Sequence, residues 1–185
     1  MPKALLGAEI ISIIVIVSIL VIFILGCLIW SLRKVQFFSK AKKKIAENTS
    51  EISLNVKKKT EYLLNELQLL QENSLIGEDL LLTVKEDLSL LDQACDILTL
   101  SRINADAEAI NRKVKKEFPD FSTSAFNMEA EGFLQTDARL KTIRKAYNSN
   151  VSIYNQELVV FPSSVVASLI KARPFDFFVV EEISD

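Results

Sequence analysis

The sequence predicts an all-α protein: an N-terminal transmembrane helix, then an elongated antiparallel bundle of three long helices and a short fourth. Two observations carry that expectation. Residues 10–32, IISIIVIVSILVIFILGCLIWSL, hold no charge over 23 positions. Beyond them, apolar residues recur at steps of three, four and seven, the period of a helix face, rather than in the alternation of a strand.

At 1.5 Å per residue, a helix over 10–32 is about 34 Å long, enough to cross a hydrocarbon core of about 30 Å with some tilt. Ile and Val disfavour helix in water, but a lone segment in lipid must satisfy its own backbone and has no other option. Trp30 falls where an interfacial aromatic belongs. Residues 1–9 form a short tail with Lys3 and Glu9. The other flank, residues 33–44, carries Arg33, Lys34, Lys40, Lys42, Lys43 and Lys44 without an acid. The positive-inside rule then places the C-terminal body in the cytoplasm, and the same collar is a candidate for contact with anionic lipid headgroups. A competing anchor is a lipid on Cys27, because ILGC at 24–27 has the look of a lipoprotein cleavage box. Against it, the apolar run continues through Leu28, Ile29, Trp30 and Leu32. The simpler role for Cys27 is a small lipid-facing residue.

The body divides at its helix breakers. The first helix carries Ile45, Ile52, Val56, Leu63, Leu67 and Leu70 and ends at NSLIGED, 73–79. A second carries Leu81, Val84, Leu88, Leu91, Cys95 and Leu98, then Ile103, Ala107, Ile110 and Val114, and ends at FPDFSTS, 118–124, where Pro119 restricts Phe118. In that stripe Cys95 reads as a buried small hydrophobe. A third carries Phe126, Phe133, Leu140, Ile143, Tyr147, Val151, Tyr154 and Leu158 up to Pro162. Ser163 and Ser164 then offer caps for a short fourth helix closed by Pro174. The bundle therefore spans 45–172, and 173–185 is an aromatic and acidic tail in which Phe175, Phe177 and Phe178 are candidate partner contacts.

Composition narrows the function. The chain has no histidine, which excludes imidazole triads, dyads and metal sites. Two cysteines and four isolated glycines leave neither a zinc knuckle nor a phosphate-cradling loop. The charged residues read as solvated faces, with no carboxylate expected inside the stripes. No cofactor and no catalysis are expected. Residues 45–185 carry 15 basic and 23 acidic side chains, a net charge of −8 that argues against nucleic acid as a partner.

One stretch is more specific. YNSNVSIYNQELVVFP, 147–162, repeats Tyr-Asn after seven residues, so Tyr147 and Tyr154 share a helix face with Asn148 and Asn155 beside them. The tyrosines suit a core stripe with hydroxyls at its rim. The amides suit bonds across helices that fix register, or a groove that reads a partner.

At these residues the chain resembles the LemA family, whose C-terminal signature runs roughly Y-N-x-x-V-x-x-Y-N-x-x-x-x-x-F-P; here that is Tyr147, Asn148, Val151, Tyr154, Asn155, Phe161 and Pro162. EISLNVKKKTEYLLN, with Asn65 at its end, is similar to the family's first-helix motif, and FPDF to its Y-P-D-L. Thr49 and Leu64 depart from a usual Trp and Pro, so the first helix is expected to run straight. The resemblance implies a membrane-anchored, mostly four-helix protein without enzymatic activity. Some relatives are attached by a transmembrane helix and others as lipoproteins. It also implies association with membrane proteases or with membrane remodelling. The resulting expectation is a scaffold or adaptor that binds a membrane protein, with a lipid-organising role for the basic collar as the alternative. Self-association suits the stripes as well.

Overall fold

A computed structural model describes residues 2–93 and 95–179, with side chains from residue 13 onward. Its described residues form five helices and no strand: α1 Pro2–Glu72, α2 Glu78–Leu91, α3 Ile97–Glu117, α4 Ser124–Val159 and α5 Ser163–Leu169. The chain folds as two compact units, one of Lys42–Asn155 with Pro174–Asp185, the other of Met1–Ala41 with Gln156–Arg173.

In the larger unit the expected stripe of α1 is the core. Ile45, Ile52, Val56, Leu63, Leu67 and Leu70 are each at most 1% exposed. Full burial of one such side chain is worth about 1.5–3 kcal/mol before ordering costs, so a stripe of six outweighs any weakness in local propensity. Leu63, Leu67 and Leu70 pack with Leu81 and Val84 of α2, Ala107 and Val114 of α3, and Phe126 and Phe133 of α4. Polar contacts give the directions. Asn65 meets Glu129 and Lys59 meets Asp137, so α4 descends as α1 ascends. Lys59 also meets Asn104, and Glu66 meets Asn111, so α3 runs parallel to α1. Gly132 on α4 faces the Tyr62 ring so closely that a Cβ there would lie 2.5 Å from a ring carbon. As the departure at Leu64 predicts, α1 is a single helix without a break.

The expected second helix is instead two. Asp96 accepts a hydrogen bond from the Thr99 amide at 2.7 Å and so starts α3 anew, while Arg102 on α3 reaches back to Asp87 on α2. The two helices form a hairpin, which one continuous helix could not. Cys95 lies in the connection, half-buried, with its thiol donating to the Leu90 carbonyl. Leu98 is 50% exposed and Leu88 only half-buried, so the stripe does not run through as its spacing implies.

In the smaller unit, the apolar part of α1 is exposed at every described position from Ile13 to Ile29. Its most apolar 18-residue window has a mean hydropathy of 3.3, which makes it long and apolar enough to cross a membrane. Lys34 donates to Glu157 at 2.8 Å and lies over the rings of Trp30 and Phe37. The Lys34 and Ser163 hydrogen bonds hold the Glu157 carboxyl below the usual carboxylate range. Ser163 is therefore a buried partner of Glu157, and α5 begins after Pro162 with no side-chain cap, contrary to the capping role expected for Ser163 and Ser164.

Candidate functional site

The Tyr-Asn repeat of α4 grips the C-terminal tail of its own chain. Asn155 donates through Nδ2 to the Phe175 carbonyl at 2.8 Å and accepts from the Phe175 amide at 3.0 Å. Asn148 does the same one heptad earlier, donating to the Phe178 carbonyl at 3.0 Å and accepting from its amide at 2.9 Å. Each carboxamide thus presents a donor and an acceptor side by side, as a neighbouring backbone would. Seven helical residues advance about 10.5 Å, and three residues of extended chain about 9–10 Å. The heptad on α4 and the three-residue step from Phe175 to Phe178 therefore match, and the tail runs antiparallel to α4.

The tyrosines complete the clamp. Tyr147, 1% exposed, donates to the Asp176 carbonyl at 2.8 Å. Burial, then the nearby Asp176 carboxylate, raise its hydroxyl pKa to about 12, against a hydrogen bond with Thr49 that lowers it. Tyr154 is fully buried and meets the Phe175 ring edge-on at 5.0 Å. Beyond Phe178 the Val179 amide donates to Ser101 of α3, at 3.2 Å. Phe178 is 2% exposed, Phe175 half-buried, and Phe177 points out with 43% of its surface exposed. The amides therefore bond to the tail's main chain rather than across helices.

Charge is also buried inside the stripe of α1, where none is expected. The Lys57–Lys59 run has three fates: Lys57 pairs with Asp92, Lys58 is exposed, and Lys59 is wholly buried. The Lys59 ammonium has three donors and three acceptors, Asn104 at 2.9 Å, Glu108 at 3.0 Å and Asp137, and lies 5.0 Å from the centre of the Phe133 ring. Burial raises the Asp137 pKa, but hydrogen bonds from Lys141 and Lys59 outweigh it and leave the carboxyl below its ordinary range. One turn-pair further, Glu66 is fully buried with a single long contact of 3.4 Å from Asn111. Burial lifts its pKa to about 7; Lys115 opposes the rise and Glu129 adds to it. Asp87, 6% exposed, is likewise raised by burial, with Arg102 opposing. The expectation that no carboxylate sits in the stripes is thus overturned. A sequence signal existed: the stripe steps by seven twice, from Ile45 to Ile52 and from Val56 to Leu63, and the buried Asn48 and Lys59 fill those gaps. Asparagines also recur at heptad spacing as Asn48–Asn55 and Asn104–Asn111, all four buried, as well as Asn148–Asn155.

These groups are neither open to a substrate nor arranged as ligands: among the described residues no cluster of three potential metal-binding side chains occurs. Of the remaining candidates, Val151 is buried under the clamp, Asn65 is exposed and donates to Glu129, and Phe161 and Pro162 belong to the smaller unit. The collar residues Arg33, Lys40, Lys42, Lys43 and Lys44 are exposed on α1, whereas Lys34 is engaged with Glu157.

Comparison with curated proteins and with solved structures returns no match. Comparison with protein families matches residues 48–185 to the LemA family. That match covers three quarters of the chain, including the Tyr-Asn clamp and the tail it holds, and the chain belongs to the LemA family.

Proposed function

We propose that the chain is a non-catalytic scaffold held at a membrane by residues 10–32, with its body on the cytoplasmic side and a membrane protein as its partner. The observation that carries this reading is α1: the exposed apolar residues and the buried stripe from Ile45 to Leu70 belong to one helix. The absence of histidine supports the non-catalytic part, as does the way Lys59 and Asp87 are taken up by neighbouring side chains.

The tail clamp narrows where a partner would bind. Phe175 and Phe178 are taken up by the chain's own core, which leaves Phe177, Val179 and the exposed Asp176 side chain accessible among the described residues after Pro174. Protease treatment of right-side-out and inverted vesicles tests the anchor and its orientation. Cleavage of the body only in inverted vesicles, from a chain of intact mass, is the expected result; cleavage from outside with loss of residues 1–26 overturns it. A photo-crosslinking residue at position 177 tests the scaffold. The expected result is one recurring membrane protein whose capture is lost when Asp176→Ala is added beside the crosslinker, and no recurring partner in intact membranes sinks the idea.

A further inference from the structure

We propose that the α4–α5 elbow, Val159–Ile170, is a second membrane element, immersed in the leaflet that holds the end of the apolar span, and that a phospholipid acyl chain fills the groove between them. This rests on the reading of residues 10–32 as a membrane span.

The elbow displays apolar side chains that a water-facing turn would not. Phe161 is 79% exposed, Val159 and Leu169 78% each, Val165 52%, Val160 46% and Ile170 39%. These six fall within twelve consecutive residues, whereas the exposed large apolar residues of the other unit are spread over Leu54–Ile153 and the tail positions Phe177 and Val179. A patch of this kind marks a surface with an apolar partner.

The groove identifies that partner. It encloses about 640 Å³ between Phe23, Cys27 and Trp30 of α1 and Phe161, Val165 and Leu169 of the elbow. Along α1 it extends from Ser31 back to Phe23, about 12 Å of helix, which is nearly the ~15 Å depth of one leaflet's hydrocarbon. If the Phe23–Ser31 stretch of α1 is in lipid, the elbow residues facing it across the groove are in lipid too. Continuity with the exposed apolar face of α1 makes the bilayer the occupant.

Two further features suit immersion. Lipid offers no hydrogen bonds, so backbone groups must satisfy one another. Here the Ser164 amide donates to Val160, Val165 to Pro162, Ile170 to Val166, Lys171 to Ser168 and Ala172 to Ala167. The elbow's one charged neighbour on α4, Glu157, is paired with Lys34 and Ser163. Past the apolar run, Lys171 and Arg173 are exposed, placed to return the chain to the headgroups.

The test uses the full chain with Cys27→Ala and Cys95→Ala, reconstituted in phosphatidylcholine and phosphatidylglycerol vesicles. An environment-sensitive fluorophore is attached to a single cysteine in V165C, L169C, I22C or M128C, all at exposed positions. Quenching by nitroxide on lipid acyl chains is compared with quenching by aqueous iodide. The expected result is several-fold stronger lipid quenching at 165 and 169 than at 128, close to that at 22, with iodide in the reverse order. Iodide quenching at 165 and 169 equal to that at 128, with 22 lipid-quenched, overturns the elbow and spares the span. Loss of lipid quenching at 22 as well overturns both. Protection of 165 and 169 from both quenchers also overturns the proposal, because protein, such as a second copy, would then cover the groove.

Discussion

Replacing Asn148 with alanine removes both hydrogen bonds that hold Phe178 in the tail. At about 1 kcal/mol net for each bond, the tail's docking weakens by about 2 kcal/mol. Since 1.4 kcal/mol is tenfold in an equilibrium constant, the open population of the tail rises about 30-fold. Hydrogen exchange reads this directly. The reporter is the Val179 amide, because its partner is Ser101 and neither atom is touched by the substitution. Asn148→Asp sharpens the test: it keeps shape and one acceptor but turns a second oxygen toward the Phe178 carbonyl, so it is expected to free the tail at least as much as alanine. Asn155→Ala acts on the same reporter through Phe175, and the pair is expected to be less than additive, since once either grip is lost the tail is partly free. If Val179 exchange changes less than about twofold in all three variants, the carboxamides do not hold the tail, and the clamp is not what the Tyr-Asn repeat is for.

Glu66 supplies a pH dependence. Its folded pKa of about 7 lies above the ordinary carboxyl value of 4.5, so the folded state holds a proton that the unfolded state gives up, and stability falls as pH rises from 4.5 toward 7. The penalty above pH 7 is about 3 kcal/mol, and Glu66→Gln is expected to remove it, as the difference between urea unfolding curves of the two proteins at pH 5 and pH 8. Lys59→Met removes one of the two cations beside Asp137, leaving Lys141, and the nearer of the two beside Glu108, leaving Arg112, and should destabilise the larger unit by about 1–3 kcal/mol, read as a fall in Tm; no loss would mean the cluster is not closed to water. Gly132→Ala gains about 1 kcal/mol of helix propensity but drives a methyl into the Tyr62 ring, so a net loss of up to about 2 kcal/mol is expected, restored by Tyr62→Leu in the double variant.

The helical class was legible because burial and period coincide: each apolar residue of the 45–70 stripe is in the core, and within the uncharged 10–32 segment every described position from Ile13 to Ile29 is exposed. The hairpin after Leu91 was hidden by the same rule. Leu91, Cys95 and Leu98 keep helical spacing across a reversal of direction, so the period continued where the helix did not, and the Asp96 cap was the weaker signal. The buried Lys59 and Glu66 were masked by their charge, which on most helices marks a solvated face. Asn148 and Asn155 could be placed on one face from their spacing, but their partners are main-chain atoms 20 and 30 residues away, and main-chain atoms leave no trace in a sequence.

The grip of Asn155 on Phe175 has a topological consequence. The chain leaves Asn155, makes the excursion through α5, and returns to the same side chain 20 residues later, so that excursion is a closed loop tied at its neck. The closure entropy of a loop grows only logarithmically, and doubling its length costs about 0.6 kcal/mol. A loop of residues 156–173 can therefore change length at little entropic cost, while the paired hydrogen bonds of Asn155 and Asn148 keep the frame of Phe175 and Phe178 in step with α4.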